Sequence, residues 1–132
     1  MSNQFEVRTP SHSCLVDVTA QVERLVSQSG IGEGICTIFV PHTTAGVTIN
    51  ENADPTVRSD ILQELDKIVP WNDNYDHGEG NAAAHIKASL FGSSLVVFVS
   101  GGKLKLGTWQ GIYLAEFDGP RTRKVWIKVM AG

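Results

Sequence analysis

The period of the apolar positions changes several times along the chain, and each change marks an element. Phe5-Glu6-Val7-Arg8-Thr9 alternates apolar and polar side chains, and Cys14-Leu15-Val16-Asp17-Val18 resumes a strand pattern after Pro10 and two serines, which predicts an opening hairpin. The period then turns helical. Val22, Leu25 and Val26 fall on one face, with Thr19 placed to cap the first turn and Gly30 to stop the last. Gly34-Ile35-Cys36-Thr37-Ile38-Phe39-Val40 is a nearly continuous run rich in branched residues, the pattern of a central strand covered on both faces. Gly46-Val47-Thr48-Ile49-Asn50 alternates like the strand after it.

The longest predicted helix follows. Asp54 is its N-cap, Pro55 sits where a missing N–H costs nothing, and Pro70 ends it. Its buried stripe is Val57, Ile61, Leu65 and Ile68, widened by Leu62. Residues 71–80 have no periodicity and form a long connection of the kind that often carries function. Asn81 then caps a short helix closed by Gly92. Strands are predicted over 95–99, 103–106, 112–117 and 124–130, with turns at Gly101-Gly102 and Asp118-Gly119-Pro120. This order of elements makes one α+β domain over 1–132. Short turns between its last strands require a mostly antiparallel sheet, either curved or folded into a β-sandwich with flanking helices.

Composition narrows the function classes. Charged residues are 19% of the 132 and the formal net charge is −3, which gives no electrostatic reason to bind nucleic acid or an anionic membrane. Arg121, Arg123 and Lys124 form the only basic cluster, which suits one phosphate or carboxylate, or is simply a solvated strand end. The N-terminal stretch lacks the apolar core of a signal peptide, so a cytoplasmic protein is expected. Cys14 and Cys36 lie apart in apolar runs and read as buried free thiols. Neither Gly32-Glu33-Gly34 nor Gly78-Glu79-Gly80 has the spacing of a dinucleotide loop.

Candidate chemistry gathers at His42, His77 and His85. His77-Gly78-Glu79-Gly80-Asn81 leads into the helix that carries His85, and His42 follows an apolar strand and Pro41. Neutral imidazole is the commonest transition-metal ligand, and three histidines with an open fourth position can hold a divalent ion such as zinc. The alternative is that each is a hydrogen-bonded histidine at the end of an element. Glu79 reads as a fourth ligand, a partner that orients an imidazole, a general base, or a solvated acid. Asn81 is a cap whose helix also leaves N–H groups for an anion, at Ala83 and Ala84. Thr43 and Thr44 can donate to a phosphate or satisfy nearby backbone. Asn50 and Glu51 belong either to a pocket or to the connection toward Asp54. Gln110 is a candidate ligand contact, beside a Trp109 that either stacks on a ligand or sits in the core. Glu116 interrupts an apolar strand, so it lies at a pocket edge or pairs with a cation such as Arg121. His12, in a Ser-His-Ser loop, reads as exposed.

Residues 94–112, with Ser100-Gly101-Gly102-Lys103 and Gly107-Thr108-Trp109-Gln110-Gly111 at their centre, closely resemble the signature of the YjbQ family, also called the secondary thiamine-phosphate synthase family. The resemblance extends through Pro41-His42-Thr43-Thr44, Asn50-Glu51, Asp54-Pro55, His77-Gly78-Glu79-Gly80-Asn81, His85 and Glu116-Phe117, and so covers nearly the whole chain. It implies a homotrimer of α+β domains with a polar histidine pocket near a subunit boundary. It also implies a weak activity that joins a hydroxymethylpyrimidine diphosphate to a thiazole phosphate, a small phosphorylated substrate in each case. The expectation is therefore an enzyme using His42, His77, His85 and Glu79, with Thr43, Thr44, Asn50, Glu51, Asn81, Gln110, Glu116 and Arg121 contacting substrate. The rival is a non-catalytic trimeric module that binds a metal ion or a phosphorylated metabolite.

Overall fold

A computed structural model describes residues 3–132, so Met1 and Ser2 of the N-terminal stretch lie outside the described residues. The strands are β1 (Gln4–Arg8), β2 (Cys14–Asp17), β3 (Gly34–Phe39), β4 (Ala45–Glu51), β5 (Ser94–Ser100), β6 (Lys103–Leu104), β7 (Gln110–Glu116) and β8 (Thr122–Ala131). The helices are α1 (Thr19–Ser29), α2 (Pro55–Ile68) and α3 (Ala82–Phe91). The α+β class holds, and every strand pairing is antiparallel. One sheet has the order β1-β8-β3-β5-β6 and the other β2-β7-β4.

The opening hairpin does not form. β1 pairs with β8 and β2 with β7, because the chain between them crosses from one sheet to the other instead of turning back. β6 is also shorter than its alternating sequence suggested.

Two apolar clusters set the layers. Val22 and Val26 of α1 pack with Cys36, Ile38, Leu114 and Ile127 between the sheets. On the far side of the smaller sheet, Leu15, Tyr113, Ala115 and Phe117 meet Ala84 and Ala88 of α3. β7 is therefore the doubly covered strand, buried from Gly111 onward. Its Ile112, Tyr113 and Leu114, fully buried, each contribute roughly 1.5–3 kcal/mol of apolar burial. α3 lies close against β4 because Gly46 has no side chain: a Cβ there would sit 2.7 Å from the Gly92 carbonyl oxygen.

β3, by contrast, is covered on one face only within a single chain. Cys36 and Ile38 point into the core, while Ile35, Thr37 and Phe39 point outward. Register places Ile35 between Phe98 and Met130, and Phe39 beside Trp126, whose ring it stacks on at 5.7 Å. With Phe98 64% and Trp126 47% exposed, apolar side chains gather on the outer surface of the large sheet, interrupted by the Thr37–Lys128 pair.

The helix ends differ in detail from the sequence reading. Asp54 does cap α2, accepting from the Thr56 N–H at 2.9 Å. Thr19 does not cap α1; the Asp17 carboxylate accepts from both its N–H and its hydroxyl. α2 has no fully buried residue and Ile68 is exposed, so this helix rests on its partly buried Ile61, Leu62 and Leu65. Cys36 is buried as expected, whereas Cys14 is only half-buried.

Three of the chain's short passages between sheets lie at residues 9–13, 40–44 and 117–121. Register puts these crossings at one corner, because Glu116 ends β7 opposite Cys14 and Ala45, the first residues of β2 and β4. Arg8, which ends β1, faces Thr122 at the start of β8. Gly119 fits there because a Cβ would approach the Ser11 carbonyl oxygen to 2.4 Å.

Candidate functional site

The corner is organised by a buried ion pair. Glu116, 0% exposed, and Arg123, 4% exposed, bond through both guanidinium nitrogens that face the carboxylate: Arg123 Nε donates to Glu116 Oε1 at 2.8 Å and its Nη2 to Oε2. The Thr9 hydroxyl donates to Oε1 at 2.8 Å and the Asp118 N–H to Oε2 at 3.0 Å. Arg123 Nη2 also donates to the Thr44 hydroxyl oxygen at 2.8 Å. Burial pushes the Glu116 carboxyl up, but the hydrogen bonds from Arg123, Asp118 and Thr9 outweigh it and hold the group below the usual carboxylate range. The sequence predicts Glu116 either at a pocket edge or paired with a cation such as Arg121; it is paired, but with Arg123, and Arg121 reaches Asp118, with Nη2 3.1 Å from Oδ2. The alternation of β8 explains the exchange: Arg123, Val125 and Ile127 share its inward face, and residue 121 precedes the strand.

Beside this pair opens a cavity of about 460 Å³ lined by His42, Thr43, Thr44, His77, Glu79, Asn81, His85, Asp118, Arg121 and Arg123. A second hollow of about 490 Å³ shares His42, Thr43 and His85 and runs along α3 to Ser89 and Ser93. The three histidines predicted to converge thus border one space. His77 and His85 meet edge to face with ring centroids 5.2 Å apart.

His42 is held differently. Its Nε2 accepts the Lys124 backbone N–H at 2.8 Å, which requires a lone pair there and places the proton of the neutral ring on Nδ1. Burial and then the Arg123 guanidinium push its pKa below the ordinary histidine value. The ring is thus a neutral Nδ1–H donor.

Asn81 stands at the N-cap of α3 without a capping side-chain bond. Its Nδ2 donates instead to Asp118 Oδ2 at 2.9 Å, leaving its buried Oδ1 without a partner among the described residues. The Ala84 N–H is also spent, on the Asn81 carbonyl at 3.0 Å. Burial raises the Asp118 pKa, yet the bonds from Asn81 and Arg121 lower it more, so this acid is ionised at the pocket wall. Thr44 is buried and engaged by Arg123, whereas Thr43 is exposed on the rim.

Asn50, Glu51 and Gln110 do not join this group. Glu51 faces Gln110 at one end of the small sheet, and Ala45 faces Glu116 at the other. Six strand residues separate them by about 20 Å. Their side chains serve local turns: Asn50 accepts from the Glu51 N–H, Glu51 from the Asp54 N–H, and Gln110 from the Gly107 N–H. Trp109 is exposed rather than in the core. His12 is exposed as expected and lies outside the pocket.

The residues as placed do not fit an ion held by three histidines. Nε2 of His42 is committed to the Lys124 N–H, and among the described residues no group of three or more His, Cys, Asp or Glu is arranged to hold a metal. No described helix is long and apolar enough to cross a membrane.

Fold and site together define a small α+β protein of two curled antiparallel sheets, with a polar histidine pocket where the chain crosses between them. The chain belongs to the UPF0047 protein YjbQ-like family, whose model matches residues 3–132. It is 50% identical to UPF0047 protein YugU of Bacillus subtilis over 98% of this chain and 99% of that one. A crystal structure of an uncharacterised YjbQ/UPF0047 protein from Clostridium acetobutylicum superposes with a TM-score of 0.95 at 54% identity, over 96% of this chain and 98% of that one. A YbjQ-like protein of unknown function from Sulfolobus solfataricus gives 0.93 at 39% identity, over 98% and 95%. The family expected from the sequence is therefore the right one, and its function is not established.

Nitrogen-resolved NMR of the imidazole rings checks the assignment at His42: it should show the Nδ1–H tautomer and titrate below the ordinary value near 6.5. A folded-state pKa below the unfolded one means that the unfolded chain takes up a proton the fold refuses. The stability contributed by His42 is therefore present above about pH 6.5 and declines as pH falls toward its folded value. Finding Nε2–H, or titration at or above the ordinary value, contradicts the geometry.

Proposed function

We propose that the corner pocket binds the anionic end of a small phosphorylated molecule. The observation that carries this reading is the fixed Nδ1–H donor of His42, held in a cavity that also contains Thr43, Arg121 and the His77–His85 pair. Arg121 and Arg123 are each matched by a carboxylate, so recognition rests on convergent hydrogen-bond donors more than on net charge.

The enzymatic form of this reading is a transfer that releases diphosphate, the weak thiamine-phosphate synthesis implied by the family resemblance. Glu79 on the pocket lip is its candidate base. The non-catalytic form is a module that holds the same phosphorylated ligand. Turnover of a pyrimidine diphosphate with a thiazole phosphate separates the two.

A second reading keeps a divalent metal such as zinc, now on His77 and His85 alone, because their rings are close and neither ring makes a described hydrogen bond. The homotrimer is proposed on a separate observation, the apolar outer face formed by Phe39, Val96, Phe98, Trp126 and Met130. The run over 34–40 has the composition of a strand covered twice, and a neighbouring chain supplies the second cover.

Calorimetry with phenyl phosphate tests the first reading. His42→Phe and Arg121→Gln should each weaken binding about tenfold, the loss of one good hydrogen bond. Zinc titrated into wild-type protein and His77→Ala tests the second. Phosphate-ester binding that survives both of the first two variants, or that requires zinc, contradicts the first reading.

Light scattering should find three chains per particle, and Phe98→Lys should yield monomers, since a buried unpaired ammonium is costly. A wild-type monomer at micromolar concentration rules the trimer out.

A further inference from the structure

On the opposite side of α3 from the histidines lies a larger cleft, about 710 Å³, bordered by Ser11, His12, Asp66, Pro70, Trp71 and Lys87. His85 and Lys87 are two residues apart on a helix and so point roughly 200° from one another. We propose that this cleft is a second ligand site, independent of the corner pocket, that takes a small aromatic carboxylate with Lys87 as its anchor.

The anchor is a lysine that folding alone does not explain. Its side chain is 3% exposed, and Nζ lies 2.6 Å from Asp66 Oδ1, an acid whose own side chain is 66% exposed. This is the one hydrogen bond described for an ammonium that carries three donors. On another side the nitrogen sits 5.9 Å from the centre of the Phe117 ring, a contact that favours the charged form but uses no N–H. A buried cation with unused donors at a cleft floor is suited to an incoming carboxylate, which can accept two of them.

The wall supplies the rest of the ligand's description. His12 meets Trp71 edge to face at 4.5 Å, and these two rings with Pro70 border the cleft, which suits it to an aromatic ligand. A monoanion fits better than a phosphate dianion. The site offers one buried cation, and Asp66 beside Lys87 and Asp118 3.9 Å from His12 would repel a second negative charge.

The competing account is that Lys87 exists only to clasp Asp66 and so hold α2 against α3. Benzoate is the probe, followed through the Trp71 indole N–H and His12 ring signals of the full chain. Benzoate should move both, leave the His77 and His85 signals in place, and bind more tightly than benzamide. Lys87→Met should weaken binding about tenfold or more. Asp66→Asn should keep or strengthen it by freeing the ammonium. An unmoved Trp71 signal, undiminished benzoate binding by folded Lys87→Met, or benzoate binding abolished in Asp66→Asn overturns the proposal. Should Lys87→Met fail to fold, Asp66→Asn alone decides.

Discussion

The Glu116–Arg123 ion pair is the constraint from which the working end of this protein follows. A carboxylate at 0% exposure and a guanidinium at 4% are affordable only because nearly every polar atom is engaged: Thr9, Thr44 and the Asp118 N–H complete the set. Those partners come from the exit of β1, the approach to β4 and the exit of β7. The pair therefore fastens together three of the places where the chain leaves one sheet for the other. Replacing such a pair by apolar residues is often neutral or stabilising, so its value here lies in geometry: it sets where the crossing segments sit.

The pocket inherits that geometry. His42 lies in one fastened segment, and its ring is oriented by the backbone N–H of Lys124, the residue after Arg123. Asp118 lies in another and is tied to α3 through Asn81 and to the strand start through Arg121. His77 and His85 arrive from the loop and first turns of α3, which packs close to β4 across Gly46. The site is thus assembled from backbone crossings and one helix, with His42 oriented by a main-chain donor and Asp118 by side-chain donors.

Much of this was legible in the sequence. Helical and alternating periods located the helices and most strands, and the family motif located the histidines that share a cavity. What escaped depends on pairing across long separations. The opening hairpin failed because local alternation says nothing about which partner a strand finds, and β1 pairs with the end of the chain. Arg123 was overlooked in favour of Arg121, although extending the alternation of Val125 and Ile127 back two residues points Arg123 inward. Asn50, Glu51 and Gln110 share a motif with the pocket residues but occupy the far end of β4 and β7. Lys87 left no local sign, since its burial depends on how α2 and the loop after it fold over α3.

A double-mutant cycle on Glu116 and Arg123, followed by urea denaturation, tests the central role of the pair most directly. Glu116→Gln and Arg123→Met should each cost about 3–5 kcal/mol, because each leaves its partner buried and unmatched. The double variant should cost less than the two together by about 2 kcal/mol or more. Costs that add within about 0.5 kcal/mol would mean that the two side chains do not act as a unit and that the corner is held by something else.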